Sequence, residues 1–196
     1  MLKESDKYLF EKIKSGDKKA LEVLFDRYYE PLCDFSYQFL KSTDLSEEAV
    51  SDIFIKLWLN KKNISFTTNL KSYLYRAVRN CSLNYIKKEN GNFEALSTIS
   101  HQIGSKEQSA DYPLIFDEFQ KDVASIIDQL PDQQRLIFRM NRLEGLKYKE
   151  IAEILNISVH TVQNHMVEAV KVLSKKHTYF QSLKAWFIFA LVFFYI

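Results

Sequence analysis

The stretch Tyr148–Leu173, YKEIAEILNISVHTVQNHMVEAVKVL, decides the reading of this chain. Ile151, Ala152 and Leu155 share one side of a short helix. Val159, Val162, Met166, Ala169, Val170 and Leu173 recur at three- and four-residue steps along a second, with Asn156-Ile157-Ser158 between the two. The pattern is helix, short turn, helix. In such a motif a small residue lets the helices approach, an apolar turn residue plugs their core and a hydroxyl caps the second helix; Ala152, Ile157 and Ser158 occupy those places. The second helix then presents His160, Thr161, Gln163, Asn164 and Val167, with Lys171 further along. Gln and Asn can pair with adenine, and Thr and Val can touch thymine methyls. The same residues would also serve as the solvated face of a surface helix, but small, plug and cap residues together within 26 residues favour DNA. Glu168, acidic beside this face, either accepts from a cytosine amino group or points away.

Composition agrees with a helical chain. At 196 residues there is room for one ordinary domain or two small ones. With 15 Phe and 11 Tyr there is material for packed cores, while 4 Gly and 3 Pro are too few for the turns of sandwiches, barrels or doubly wound sheets. The expected class is all-α. The net charge of +2 is small, so any nucleic-acid contact must come from a local basic patch. Cys33 and Cys81 are too few and too far apart for a disulfide framework or a paired-cysteine metal site, and read as buried core thiols in a reducing cytoplasm. The opening MLKESDKYLF carries acids and no apolar core, so no secretory signal is expected.

Upstream of the motif, Pro131 and Gly145 bracket a helix over about 131–144, with Leu136, Ile137, Met140 and Leu143 on its stripe. Phe116, Phe119, Val123, Ile126, Ile127 and Leu130 precede it and begin a second helical domain. Between Glu89 and Asp111 two of the four glycines, many Ser, Gln and Asn, and no sustained period mark an acidic flexible linker. Residues 17–88 read as a helical bundle. Asp17 is a candidate N-cap; Leu21, Leu24, Phe25, Tyr28, Leu32, Phe35 and Phe39 form a stripe, with Pro31 at a kink or at the start of a new helix. Ala49, Val50, Ile53, Phe54 and Leu57, with Trp58 alongside, form the next helix, and Leu70, Tyr73, Leu74, Ala77, Cys81 and Tyr85 the third. From Lys71 to Lys88 every charged residue is basic, interleaved with Tyr73, Tyr75 and Tyr85, which suits a nucleic-acid backbone with stacking on unpaired bases, or a solvated face over a core of aromatics.

Taken together these residues resemble the sigma-70 superfamily of RNA polymerase sigma factors, in its short extracytoplasmic-function (ECF) group, over about residues 10–176. EEAVSDIFIKLW resembles the family's core-binding helix, which implies polymerase contacts at Glu47, Glu48, Ser51, Asp52, Phe54 and Trp58. LKSYLYRAVRNCSLNYIKK resembles the helix that reads and melts the minus-ten element, implying Arg79, Asn80, Asn84, Lys87 and Lys88, with Ser65 and Thr68 in a pocket for a flipped base. Asn84 stands where the family often has an acid, and Ser51 where it often has Gln. QLPDQQRLIFRMNRLEGLKYKEIAEIL resembles the opening of region 4, making the helix-turn-helix the minus-thirty-five reader through His160, Thr161, Gln163, Asn164, Val167 and Lys171.

The resemblance implies a region-2 domain over 10–88, a linker over 89–115, a region-4 domain over 116–177 and a tail over 178–196. Its expected partners are RNA polymerase core, promoter DNA and an anti-sigma factor, commonly membrane-bound in this group. No catalytic residue, cofactor, metal or small-molecule substrate is implied, and the place of action is the cytoplasm. The competing reading is a helix-turn-helix regulator that binds duplex DNA without polymerase. His101, His160, His165 and His177 lack metal-ligand spacing, and no phosphate loop or hydrolase motif occurs. After Lys184 the run AWFIFALVFFYI is too short to span a bilayer, which takes about 20 residues, and reads as a docking or interfacial segment.

Overall fold

A computed structural model describes residues 4–64, 69–90, 125 and 127–177. Among them every regular element is an α-helix: α1 (Asp6–Lys14), α2 (Lys18–Leu40), α3 (Thr43–Leu59), α4 (Leu70–Asn90), α5 (Asp132–Arg142), α6 (Tyr148–Leu155) and α7 (Val159–His177). Two compact units divide the chain, the first carrying α1–α4 and counting Glu153–Asn156 with them, the second carrying α5, the start of α6 and α7. Most of the expected linker, the residues Phe116, Phe119, Val123 and Ile126, and the apolar run near the C-terminus lie outside the described residues.

In the first unit α2 packs against α1, α3 and α4. Leu24, Tyr28, Leu32 and Phe35 of α2 close on Ala49, Val50, Ile53, Phe54 and Leu57 of α3 and on Leu70, Leu74, Tyr75 and Val78 of α4, all buried. Side-chain caps set the helix starts: Ser5 accepts from the Tyr8 N–H, Asp17 from the Lys19 and Ala20 N–H groups, Ser42 from the Leu45 N–H. α2 runs unbroken through Pro31, so the alternative of a new helix starting there falls; burial of residues on both sides holds the helix although Pro31 cannot donate to the Arg27 carbonyl. Polar links also cross the bundle. Ser36 on α2 and Ser82 on α4, both buried, share a 2.9 Å hydrogen bond. Asp6 on α1 accepts from Arg27, at 2.5 Å, and from the Tyr28 hydroxyl. Cys81 is buried, and burial pushes its thiol up. Cys33 is only half-buried, a correction to the reading of two core thiols, because its step on α2 lies beside the stripe formed by Leu32 and Phe35.

In the second unit α5 packs along α7. Pro131 stands as the N-cap residue of α5, and Gly145 at φ 66° follows its end, returning its N–H to the Asn141 carbonyl while the Leu146 N–H reaches Met140. Arg135 is 4% exposed, donating to the Asp128 carbonyl at 2.5 Å and to Asp132, so its charge is paired where it is buried. Phe138 joins Ile137 and Met140 in the core. Leu143, expected there, is exposed, since it sits past the last turn of α5.

Candidate functional site

The two faces of α3 do different work. Phe54, expected as a docking side chain, is 4% exposed and meets Phe25 edge to face, with ring centroids 4.9 Å apart at 66°. The reason for the correction is register: Val50, Ile53, Phe54 and Leu57 fall on one helical stripe, and that stripe faces α2 and α4. Outward, at steps of four, three and four, stand Glu48, Asp52, Ile55 and Leu59, with Ile55 57% and Leu59 72% exposed. Sequence reasoning missed these last two, although their spacing opposite the apolar stripe was a usable signal. Glu47 and Ser51 are half-buried beside this face. Asp52 forms a 3.4 Å ion pair with Lys56. Trp58 is half-buried beneath Lys61, whose Nζ lies 3.9 Å from the ring centroid and donates to the Trp58 carbonyl at 3.1 Å. An acidic half and an apolar half thus follow each other along one helix side, with an aromatic at its end.

On α4 the expected minus-ten residues come to one exposed side: Asn80, Asn84, Lys87 and Lys88 follow at helical steps. Arg79, half-buried beside them, has a guanidinium whose pKa burial lowers and whose Nε has no hydrogen-bond partner. A partly desolvated cation of this kind favours an anion. Tyr75 is not part of the face: it is buried edge to face against Phe35, with centroids 4.9 Å apart. Tyr73 and Tyr85 are half-buried and remain at the surface. Burial, together with a hydrogen bond to Glu48 and the nearby charges of Asp52 and Glu48, pushes the Tyr85 phenol up to about 12. The acidic end of α3 therefore borders the basic end of α4, where Lys88 lies 5.9 Å from the Tyr85 ring. Asn69 caps α4 by accepting from the Ser72 N–H at 2.7 Å. Ser65 and Thr68 lie outside the described residues.

In the second unit the turn is built as its residues dictate. Asn156 takes the left-handed conformation at φ 55°, which Asn tolerates better than most residues, and the Ile157 N–H returns to the Ala152 carbonyl at 3.0 Å. Ala152 is buried as expected; Ile157 is half-buried, so the plug is only partly inserted. Ser158 Oγ accepts from the Thr161 N–H at 3.0 Å and shares a 2.8 Å hydrogen bond with the Thr161 hydroxyl. Thr161 is thereby engaged at the cap. Val162, Met166, Ala169 and Leu173 are buried, whereas Val159, expected on that stripe, is the first residue of the helix and is 40% exposed. His160, Gln163, Asn164, Val167 and Lys171 are exposed. Lys171 pairs with Glu168 at 2.7 Å, which settles where that acid points within the free chain.

Among the described residues no group of three or more His, Cys, Asp or Glu is placed to hold a metal, and no helix is long and apolar enough to cross a membrane. Comparison with known families matches residues 24–91 to Sigma-70 region 2 and residues 120–173 to Sigma-70, region 4. The chain is similar to the ECF RNA polymerase sigma-E factor of Haemophilus influenzae, 26% identical over 180 residues that cover 88% of this chain and 95% of the relative. It is also similar to the protein of that name in Escherichia coli strain K12, at 24% identity over 88% of this chain and 94% of the relative. A solved structure of CnrH in complex with the cytosolic domain of CnrY shares the fold, with a TM-score of 0.53 at 18% identity, covering 88% of this chain and 96% of the other. Because the first unit matches a sigma region in its own right, a regulator built on the helix-turn-helix alone is not favoured.

Proposed function

The chain belongs to the sigma-70 family, in its ECF group, and we propose how its residues divide the work of promoter recognition and opening. As a sigma factor of this group it binds RNA polymerase core and recognises promoter DNA. Polymerase binding is assigned to the outer side of α3, through Glu48, Asp52, Ile55 and Leu59 with Trp58 at the end, while Phe54 holds the helix in the bundle. An acidic patch beside exposed apolar side chains suits a protein surface that carries cations around an apolar centre.

Minus-ten recognition is assigned to α4. Arg79, Lys87 and Lys88 neutralise backbone phosphates, and Asn80 and Asn84 reach unstacked bases, so that the contacts made to single strand offset the loss of base stacking. The minus-thirty-five element falls to α7, with Ser158 fixing its first turn and Gln163 and Asn164 facing the groove. Ser65 and Thr68 remain candidates for the flipped-base pocket. Domains are assigned to 10–88 and 116–177, joined by the acidic linker 89–115 and followed by the tail. The chain acts by binding; bond formation belongs to the polymerase, in the cytoplasm. CnrH is seen in complex with the cytosolic domain of CnrY. By that likeness an anti-sigma protein is proposed to hold this chain away from polymerase, its membrane attachment being part of the proposal.

The observation that carries this reading is the half-buried Arg79, whose Nε has no hydrogen-bond partner, beside the exposed Asn80, Asn84, Lys87 and Lys88. Permanganate reactivity of thymines near the start site, with purified bacterial core, tests it. The wild type opens the duplex; the Arg79→Ala, Lys87→Ala, Lys88→Ala variant does not, and regains transcription on a template with a pre-opened bubble. Duplex opening by the variant at the wild-type level would remove α4 from the melting role.

A further inference from the structure

Val159 and Val167 stand exposed on α7, 40% and 52%, although both are β-branched residues with only moderate helix propensity and carry no polar atom for solvent. Gln163, also exposed, lies between them at the same four-residue step, so the three form one slowly winding stripe along the helix. Of the groups near the stripe, Thr161 is engaged with the Ser158 cap and Glu168 with Lys171, the next step of the stripe, while His160 and Asn164 stand exposed beside it. From Val159 to Val170 there is no Lys or Arg. The major-groove edge of guanine offers two acceptors, O6 and N7, that are met best by a cationic donor fork, and this part of α7 has none. What it does have is aliphatic methyl groups on either side of an amide. Their complement is the thymine 5-methyl on either side of an adenine N6/N7 edge.

We infer that Val159 and Val167 are specificity-determining residues that read thymine methyl groups in the minus-thirty-five element, flanking an adenine held by Gln163. The inference rests on the sigma-factor reading above and names the base pairs that this helix selects. Eight residues of helix rise about 12 Å, so the two methyl contacts fall about three to four base pairs apart at about 3.4 Å each.

The test uses holoenzyme assembled from purified bacterial core and the full chain, with a duplex DNA library randomised over the upstream element. Bound duplexes are selected, and each thymine of the selected element is then replaced singly by deoxyuridine, which removes the methyl group and leaves base pairing intact. Two uracil positions, three to four base pairs apart, weaken binding about three- to fivefold each, the value of one buried methyl. In Val159→Ala the sensitivity at one position disappears, and in Val167→Ala the sensitivity at the other; Ala favours a helix, and circular dichroism checks that both variants fold. Uracil substitution without effect at every thymine, or sensitivity unchanged in both folded variants, overturns the inference while leaving the sigma reading standing. Failure of the holoenzyme to select any duplex overturns both.

Discussion

Phe54 on α3 and Phe25 on α2 meet edge to face, with ring centroids 4.9 Å apart at 66°, and this contact places the Phe54 ring in the bundle interior. Removing a buried aromatic ring leaves a cavity that the neighbours fill only in part. Phe54→Ala therefore lowers the unfolding free energy by about 3–5 kcal/mol in urea titrations. Leu59→Ala, at a side chain 72% exposed, changes it by less than about 0.5 kcal/mol while weakening polymerase core binding. Equal loss of stability in the two variants would contradict this division of the helix.

The buried hydroxyl pair gives a sharper test of packing. Ser82 Oγ donates to the Val78 carbonyl at 2.9 Å, which leaves the Ser36 hydroxyl as donor in the 2.9 Å bond between the two serines. Ser82→Ala strands the Ser36 hydroxyl in the interior and costs about 1–3 kcal/mol. Replacing both by Ala removes the stranded group as well, so the double variant is more stable than Ser82→Ala alone. A double variant with the two single losses simply added would contradict the pair.

Ser158 joins structure to recognition, since its Oγ accepts from the Thr161 N–H and fixes the first turn of α7. Ser158→Ala lowers stability by about 1 kcal/mol, and Ser158→Asp, which keeps an acceptor, restores most of it. Thermal unfolding followed by circular dichroism measures both.

Alkaline pH probes the border between α3 and α4. In the folded chain burial, aided by Glu48 and Asp52, holds the Tyr85 proton to about 12, whereas an unfolded tyrosine releases it near pH 10. The folded state thus binds more protons in that interval. The contribution is complete below about pH 10 and is lost as pH rises toward about 12. Between pH 9 and 11 the wild type loses more stability than Tyr85→Phe in paired urea titrations. Parallel losses would show that Tyr85 keeps an ordinary phenol.

The all-α class, the Asp17 cap, the Pro131 and Gly145 brackets and the helix-turn-helix were legible because each rests on local chemistry: a side-chain acceptor, a missing N–H, a positive φ. Which side of a helix faces inward was less so. Phe54 belongs to the apolar stripe of α3, and the docking role that the resemblance implies for it is one that the helical period does not support. Val159 shows a related limit, since period alone does not say where burial along a stripe ends, and for Tyr75 it leaves surface and core equally open. Ile55 and Leu59 lie at helical steps opposite the apolar stripe, a signal that becomes decisive once that stripe is seen to be filled by the bundle. The Arg79 environment depends on burial by the bundle, which no spacing of residues reveals.

Run-off transcription with purified bacterial core polymerase and a pool of genomic fragments is the most direct measurement, with wild type beside Asp52→Arg. Asp52 lies on the outer side of α3, half-exposed and paired with Lys56 on its own helix, so the substitution reverses the charge of the proposed docking side while sparing the core that Phe54 supports. The account predicts promoter-specific transcripts from the wild-type holoenzyme, and their loss with a variant that unfolds at an unchanged urea concentration. Duplex DNA binding by the free chain with no specific transcript upon addition of core, or full activity of Asp52→Arg, would contradict it.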